Sequence, residues 1–365
     1  MNLCKLFAQI YCKNMKICNN RVIIKLKWNG GVLMSIKPSQ IKFKDAHQYF
    51  RWLQLNSDIN THPDKLKAFF VSTNDLYSQC IGLEFLLMNG FMPEFEQLLE
   101  RNRNSRSKVN REWAFIYDLF LMKQKRVRSK SQLLELVQHF NTEDAALQCT
   151  QLFLEIALYF DIFEYGILAN RLEELIRKLY AVTDPILRPL FKQRMNMVLF
   201  HHYWKRNEMV LARKYGFDAL VNMTNIRYLA NLHINLSLSY IFEDFELANY
   251  HLDETIRIAK EHNLPRLITS VENNNRPFIY AHFNIPNQLD TPIKSVQAHL
   301  ALARGDFSTA QRILSEVTED TPFTKYYIGR AFQNRRILLQ SYNEFIEQRS
   351  DHFFARLPLT ALRTL

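Results

Sequence analysis

IRYLANLHINLSLSYIFEDFELANYHLDETIRIAKE, residues 226–261, is the stretch whose reading decides the fold. It reads as two antiparallel helices joined by a turn at Glu243-Asp244-Phe245. In the first helix Leu229, Leu232, Leu236 and Tyr240 recur at i, i+3, i+7 and i+11, one apolar stripe of a 3.6-residue helix. Ala230, Ile234, Ser237 and Ile241 form a stripe of smaller residues beside it, suited to close packing against a neighbour. A third line is polar: Arg227, Asn231 and Asn235 fall at i, i+4 and i+8, so their side chains follow one edge about 6 Å apart. The second helix is expected to turn Leu247, Ala248, Leu252, Ile256 and Ala259 inward. One such pair cannot bury both of its apolar stripes, so it needs similar pairs on either side.

Similar pairs are present. TPIKSVQAHLALARGDFSTAQRILSEV (291–317) carries Ala298 and Leu302 in its first helix, Gly305-Asp306-Phe307 at the turn, and Ala310 and Ile313 in its second. It is the best match in the chain to a tetratricopeptide-type repeat, in which small residues let paired helices approach and an aromatic plugs the turn. Looser copies lie at 191–221, 149–179 and 77–102. The turn aromatics Phe91, Phe163, Phe245 and Phe307 are spaced by 72, 82 and 62 residues, the length of two degenerate repeats of about 34 to 40 each. These features predict an all-α fold, a tetratricopeptide-like α-solenoid in which helical hairpins stack into a right-handed superhelix around an inner groove.

Composition narrows the function. The 365 residues include only 8 glycines, and no GxGxxG, Walker-type lysine loop or GxSxG is present. The net charge of +11 is local: residues 1–44 hold nine Lys or Arg and no acid, leaving 38 basic and 36 acidic residues in the other 321. The helical body is therefore almost neutral and gives no electrostatic argument for a nucleic-acid surface. Five cysteines, an odd number, point to a reducing cytoplasm, and Cys4, Cys12 and Cys18 lack zinc-ligand spacing. No apolar run approaches a bilayer span, so no membrane association is expected.

Two domains are expected. Residues 1–40 form an atypical basic segment without helical period, either a phosphate-contacting arm or a disordered or degenerate remnant, and 41–365 form the repeat body. The basic run RNRNSRSKVNR (101–111) falls between two amphipathic helices and reads as a solvated turn. His201 and His202 are neighbours on a helix and diverge by about 100°, so they cannot share a metal ion. No nucleophile, base and orienting group come together in the sequence, so neither an enzyme nor a cofactor is expected. The polar line Arg227, Asn231, Asn235 is the candidate site, because amides can donate to and accept from an extended peptide and a guanidinium suits a terminal carboxylate. An ordinary solvated helix face remains the other reading. Asp351 either caps the last helix with Ser350 or faces the groove as an anion.

From about Ile41 onward the chain resembles the arbitrium receptor family, the AimR-type communication-peptide receptors of temperate phages. The resemblance is carried by TNIRYLANLHINLSLSYIFEDFELA (224–248), SVQAHLALARGDFSTAQRIL (295–314), KYYIGRAFQN (325–334) and SDHFFARLPLTAL (350–362). It implies a helix-turn-helix domain followed by a tetratricopeptide-like body that binds a short secreted peptide of about six residues, forms homodimers and controls transcription in the lysis–lysogeny decision inside the bacterial host. Arg227 matches a peptide-contacting Arg, Asn235 falls where the family uses Thr, and Asp351 matches a groove Asp. Leu238 and His201 each stand where the family has a peptide-contacting Asn, which implies a different cognate peptide or weaker binding. Arg356-Leu357-Pro358-Leu359 matches the terminal signature. No turn-linked helix pair is readable in residues 1–36, and the chain stops six residues after Leu359. Promoter DNA is then a partner only if a helix-turn-helix is supplied or was lost by truncation. A repeat scaffold that binds a protein partner and never touches DNA is the alternative function.

Overall fold

The computed structural model describes residues 43–365, apart from 222 and 287, together with two short strands, Met15–Cys18 and Arg21–Ile24, paired antiparallel as a hairpin. The boundary expected near residue 41, and the arm or remnant expected before it, otherwise lie outside the described residues. The chain forms two compact units, Met1–Gly82 and Leu83–Leu365.

In the first unit α1 (Ala46–Asn56) starts at Asp45, whose carboxylate accepts the Gln48 N–H and so satisfies a donor that the first helical turn leaves open. A 3₁₀ turn (Ile59–Thr61) leads into α2 (His62–Ser72), with Pro63 at its start where a missing N–H costs nothing. Leu53, Leu66 and Phe70 are buried, and His62 Nε2 lies 3.1 Å from the Leu53 carbonyl.

The second unit begins within α3 (Leu76–Asn89) and proceeds as helical hairpins. Their order is α3 with α4 (Met92–Arg103), α5 (Lys108–Lys125) with α6 (Lys130–Gln138), α7 (Ala145–Asp161) with α8 (Tyr165–Ala181), and α9 (Leu187–Lys205) with α10 (Met209–Leu220). Next come α11 (Ile226–Ser239) with α12 (Phe245–Glu261), and then α13 (Pro265–Ser270), which runs through a π turn (Val271–Asn275) into α14 (Arg276–His282). The last hairpins are α15 (Lys294–Ala303) with α16 (Phe307–Leu314) and α17 (Pro322–Ala331) with α18 (Arg335–Asn343), followed by a second π turn (Glu344–Gln348) and α19 (Arg356–Thr364). The architecture is all-α and solenoid-like, as the periodicity predicts.

Several turns are made by residues that tolerate a left-handed backbone, although Arg126, Phe163, Gln333 and Ser350 also adopt it. Gly90 and Gly305 take φ of 77°, and Asn207, Asn263 and Asn284 take φ between 51° and 62°. A continuous core runs through α9 to α19, with Phe200, Trp204, Leu236, Leu252, Phe345 and Phe353 among its members. The apolar stripes of 226–261 pack as expected at Ala230, Leu232, Leu236, Ala248, Leu252, Ile256 and Ala259. Leu247 does not: it is 41% exposed. Asp244 caps α12 by accepting the Leu247 N–H, and the inward place in that first turn goes to Phe245, whose ring lies 5.0 Å from Tyr280 and 5.4 Å from Phe283.

The expected plugging of every turn by an aromatic is corrected in the same way. Phe163 and Phe307 are 46% and 40% exposed, and the Phe163 ring is covered by the Arg349 guanidinium at 4.4 Å. The arginine-rich stretch 101–111 ends α4, turns at 104–107 and begins α5, and its cations are engaged locally: Arg103 pairs with Glu100 and Asp118, and Arg111 donates to the carbonyls of Ser105 and Arg106.

Candidate functional site

Helix α11 carries the polar line, and its N-terminus is fixed first. Asn225 caps it by accepting the N–H groups of Arg227 and Tyr228, while the other end of the same amide donates to the Leu87 carbonyl at 2.9 Å. One side chain thus starts the helix and ties it to the end of α3. Beside this joint is a cleft of about 200 Å³ bounded by Leu87, Gly90, Met92, Gln124, Tyr228 and Leu264, with Arg227 on its wall. Arg227 is exposed, and among the described residues no hydrogen bond or ion pair engages its guanidinium. Asn231, one turn on, is exposed and donates to the carbonyl of Arg227 in its own helix.

Asn235 and His201 are brought together by the pairing of α11 with α9. Asn235 Nδ2 lies 3.1 Å from His201 Nε2; with the amide donating, Nε2 accepts and the imidazole proton sits on Nδ1. The imidazole packs on Phe160 with 4.2 Å between centroids. Burial, then the Lys205 and Lys123 cations, hold the His201 pKa at about 3, so the ring is neutral under all ordinary conditions. Leu238, three residues past Asn235, is half-buried against the core.

Asp351 lies elsewhere than its open-groove reading requires. It is buried, and its Oδ2 accepts from Lys205 Nζ at 2.8 Å while Oδ1 accepts the Phe354 N–H at 3.0 Å. Nor does Asp351 cap the last helix: its carboxylate accepts within the turn at 352–355, and α19 begins at Arg356 after Ala355, without a side-chain cap. Burial lowers the Lys205 pKa and Asp351 counteracts this, which keeps the two charges as a pair.

Two charged residues with no role in the sequence reading, Arg194 and Lys205, share α9 with His201. Arg194, His201 and Lys205 fall at i, i+7 and i+11, one helix face. Arg194 grips Glu84 of α3, which also accepts from the Tyr117 hydroxyl at 2.7 Å. Burial works against the Arg194 cation, and Glu84 more than offsets it. The signal was readable as a period of charge within an aromatic helix, but nothing in the sequence names partners as distant as residues 84 and 351. Among the described residues no group of three or more His, Cys, Asp or Glu could hold a metal ion, and no helix is long and apolar enough to cross a membrane. Cys80 and Cys149 are buried.

The fold and this site define a helical-repeat protein whose polar groups converge from separate hairpins onto the faces of two first helices, α9 and α11. Residues 64–364 match the family model described as AimR transcriptional regulator-like, and the chain belongs to that family. The solved phAimR–ligand structure is similar, with a TM-score of 0.71 and 17% identity over 88% of this chain and 98% of that one. Selenomethionine phAimR is similar with a TM-score of 0.61 and 18% identity over 88% of this chain and 86% of that one. At such identities the likeness establishes the fold. Among curated proteins none matches.

Proposed function

We propose that the chain is a receptor for a short linear peptide of about six residues, and that occupancy controls transcription in the lysis–lysogeny decision of a temperate phage. The observation that carries this reading is the α11 face. It presents a guanidinium with no partner among the described residues at a cleft, and two turns further along an amide facing an imidazole, about 12 Å away at 1.5 Å per residue. That span suits three or four extended residues, with Arg227 taking the terminal carboxylate and Asn235, His201 and Leu238 meeting the middle of the peptide. Asn231 lies between them and is free to exchange its intrahelical bond for one to the ligand. Family membership supports the same reading, as does the ligand carried by the phAimR relative.

Peptide capture acts by its differential affinity for two forms of the receptor, and through them on a homodimer and its promoter contact. A cytoplasmic site of action and the absence of catalysis belong to the same proposal. Calorimetry with the synthetic hexapeptide encoded beside the receptor gene tests it. Arg227→Ala and Asn235→Ala are each expected to weaken binding at least tenfold, as is amidation of the peptide C-terminus for the unsubstituted receptor. Unchanged affinity in both variants would remove this face from the site. A promoter fragment that neither binds the chain nor responds to the peptide would leave a receptor without transcriptional output.

A further inference from the structure

Residues 349–356 cross back over helices that precede them by between 147 and 186 positions. The Arg349 carbonyl accepts the Tyr165 N–H at 3.2 Å, and the Lys205 carbonyl accepts the His352 N–H at 2.8 Å. The Arg349 guanidinium covers the Phe163 ring at 4.4 Å, and Arg356 donates to Asn207 at 3.2 Å while covering Phe242 at 4.2 Å. Gly166 completes the approach, since a Cβ there would come within 2.8 Å of the Ser350 hydroxyl. At the centre is one ammonium. Lys205 Nζ sits 4.3 Å from the Trp204 ring, 4.5 Å from Phe354, 4.6 Å from Tyr165 and 5.9 Å from Phe160, with Asp351 Oδ2 at 2.8 Å. Rings and a carboxylate around a cation make an aromatic box, here filled by the protein's own lysine. Its walls come from α7, α8, α9 and the C-terminal segment, so the cation joins pieces that no local interaction would hold together.

The box is also next to the candidate peptide face. Phe160, one of its walls, stacks on His201, and His201 stands one helical turn before Lys205. We propose that Lys205 and Asp351 are positioning residues: their ion pair inside the aromatic box latches residues 349–356 onto α9 and thereby fixes where His201 and Asn235 stand for the ligand. Asp351 then serves the site from behind, through Lys205, without touching the peptide. The proposal rests on the peptide reading for its functional half and on the geometry alone for the latch.

Hydrogen exchange by mass spectrometry on the full chain, with and without the same hexapeptide, separates the two halves. In Lys205→Met and in Asp351→Asn, amides of 349–356 are expected to exchange at least tenfold faster while those of α5 and α6 keep their protection. Lys205→Arg, which keeps a cation in the box, is expected to stay within threefold of the unsubstituted protein. The double variant is expected to be no worse than either single one. Equal loosening in Lys205→Arg and Lys205→Met, or no loosening in any variant, would overturn the latch. For the functional half, peptide is expected to slow exchange at 349–356 in the unsubstituted chain and to bind Lys205→Met at least tenfold more weakly. Full affinity in a loosened Lys205→Met would overturn the positioning role. A failure of the peptide to bind even the unsubstituted chain counts against the peptide reading, and the exchange data still decide the latch.

Discussion

Arg194 and Glu84, 110 residues apart, form a bidentate buried ion pair, with Nε 2.6 Å from Oε1 and Nη2 2.9 Å from Oε2. Both side chains are buried, and the guanidinium also lies 4.8 Å from the Phe120 ring. Removing one partner leaves a bare charge in the core, a loss of about 3–5 kcal/mol, whereas replacing both by apolar residues of similar volume is close to neutral. Glu84→Gln and Arg194→Met are each expected to lower Tm sharply. Glu84→Met combined with Arg194→Leu and Tyr117→Phe, which also removes the hydroxyl that Glu84 satisfies, is expected to recover most of it. A triple variant as unstable as the worst single one would show that the pair contributes more than charge neutralisation.

Asn225 does two jobs with one amide, capping α11 through Oδ1 and donating to the Leu87 carbonyl through Nδ2. Asn225→Asp keeps the cap and loses the donor; Asn225→Ala loses both. The cap alone is worth about 1 kcal/mol, and the lost bond to Leu87, whose carbonyl still accepts the Gly90 N–H at 3.2 Å, adds about 1 more at most. Urea unfolding is expected to rank the variants wild type, Asp, Ala. Equal stability of Asp and wild type would mean that the bond to Leu87 contributes nothing.

Gly329 in α17 leaves no room for a side chain. A Cβ there would stand 2.7 Å from two atoms of the Leu338 side chain and 3.1 Å from its backbone nitrogen. Since backbone as well as side chain must yield, Gly329→Ala is expected to cost about 1–3 kcal/mol despite the gain in helix propensity. Pairing it with Leu338→Ala should relieve only the side-chain part. A Gly329→Ala protein with unchanged Tm would contradict the close approach of α17 and α18.

Several imidazoles are held neutral. Burial brings the pKa of His251 and His282 to about 4 and that of His201 to about 3, and burial pushes His299 well below its ordinary value. His233 and His251 face each other through their Nδ1 atoms at 2.9 Å, so one must stay an acceptor and cannot take a proton without losing that bond. In the unfolded chain these rings titrate near 6.5. Above that pH both states are neutral and the full stability is present. As pH falls below it the unfolded chain takes up protons that the folded one refuses until about 4 to 3, so stability is lost across that interval. Thermal unfolding is expected to show a plateau above pH 7 and a falling Tm between pH 6.5 and 5, where carboxylates contribute little. A flat profile over that range would mean that these rings are protonated within the fold.

Local periodicity carries the helices, and the residues that make it are visible in order: Leu229, Leu232 and Leu236 on one line, Arg227, Asn231 and Asn235 on another. The sequence by itself therefore determined the helical hairpins, most of their buried faces and the polar edge of α11. It could not determine what that edge faces. Asn235 meets His201 across 34 residues, Asn225 reaches Leu87 across 138, and Lys205 takes Asp351 across 146. Those partners are chosen by how successive hairpins stack, and stacking depends on side-chain volumes summed over many repeats. The same stacking buries Asp351, and it leaves outside Leu247, which the periodic pattern of its own helix would turn inward.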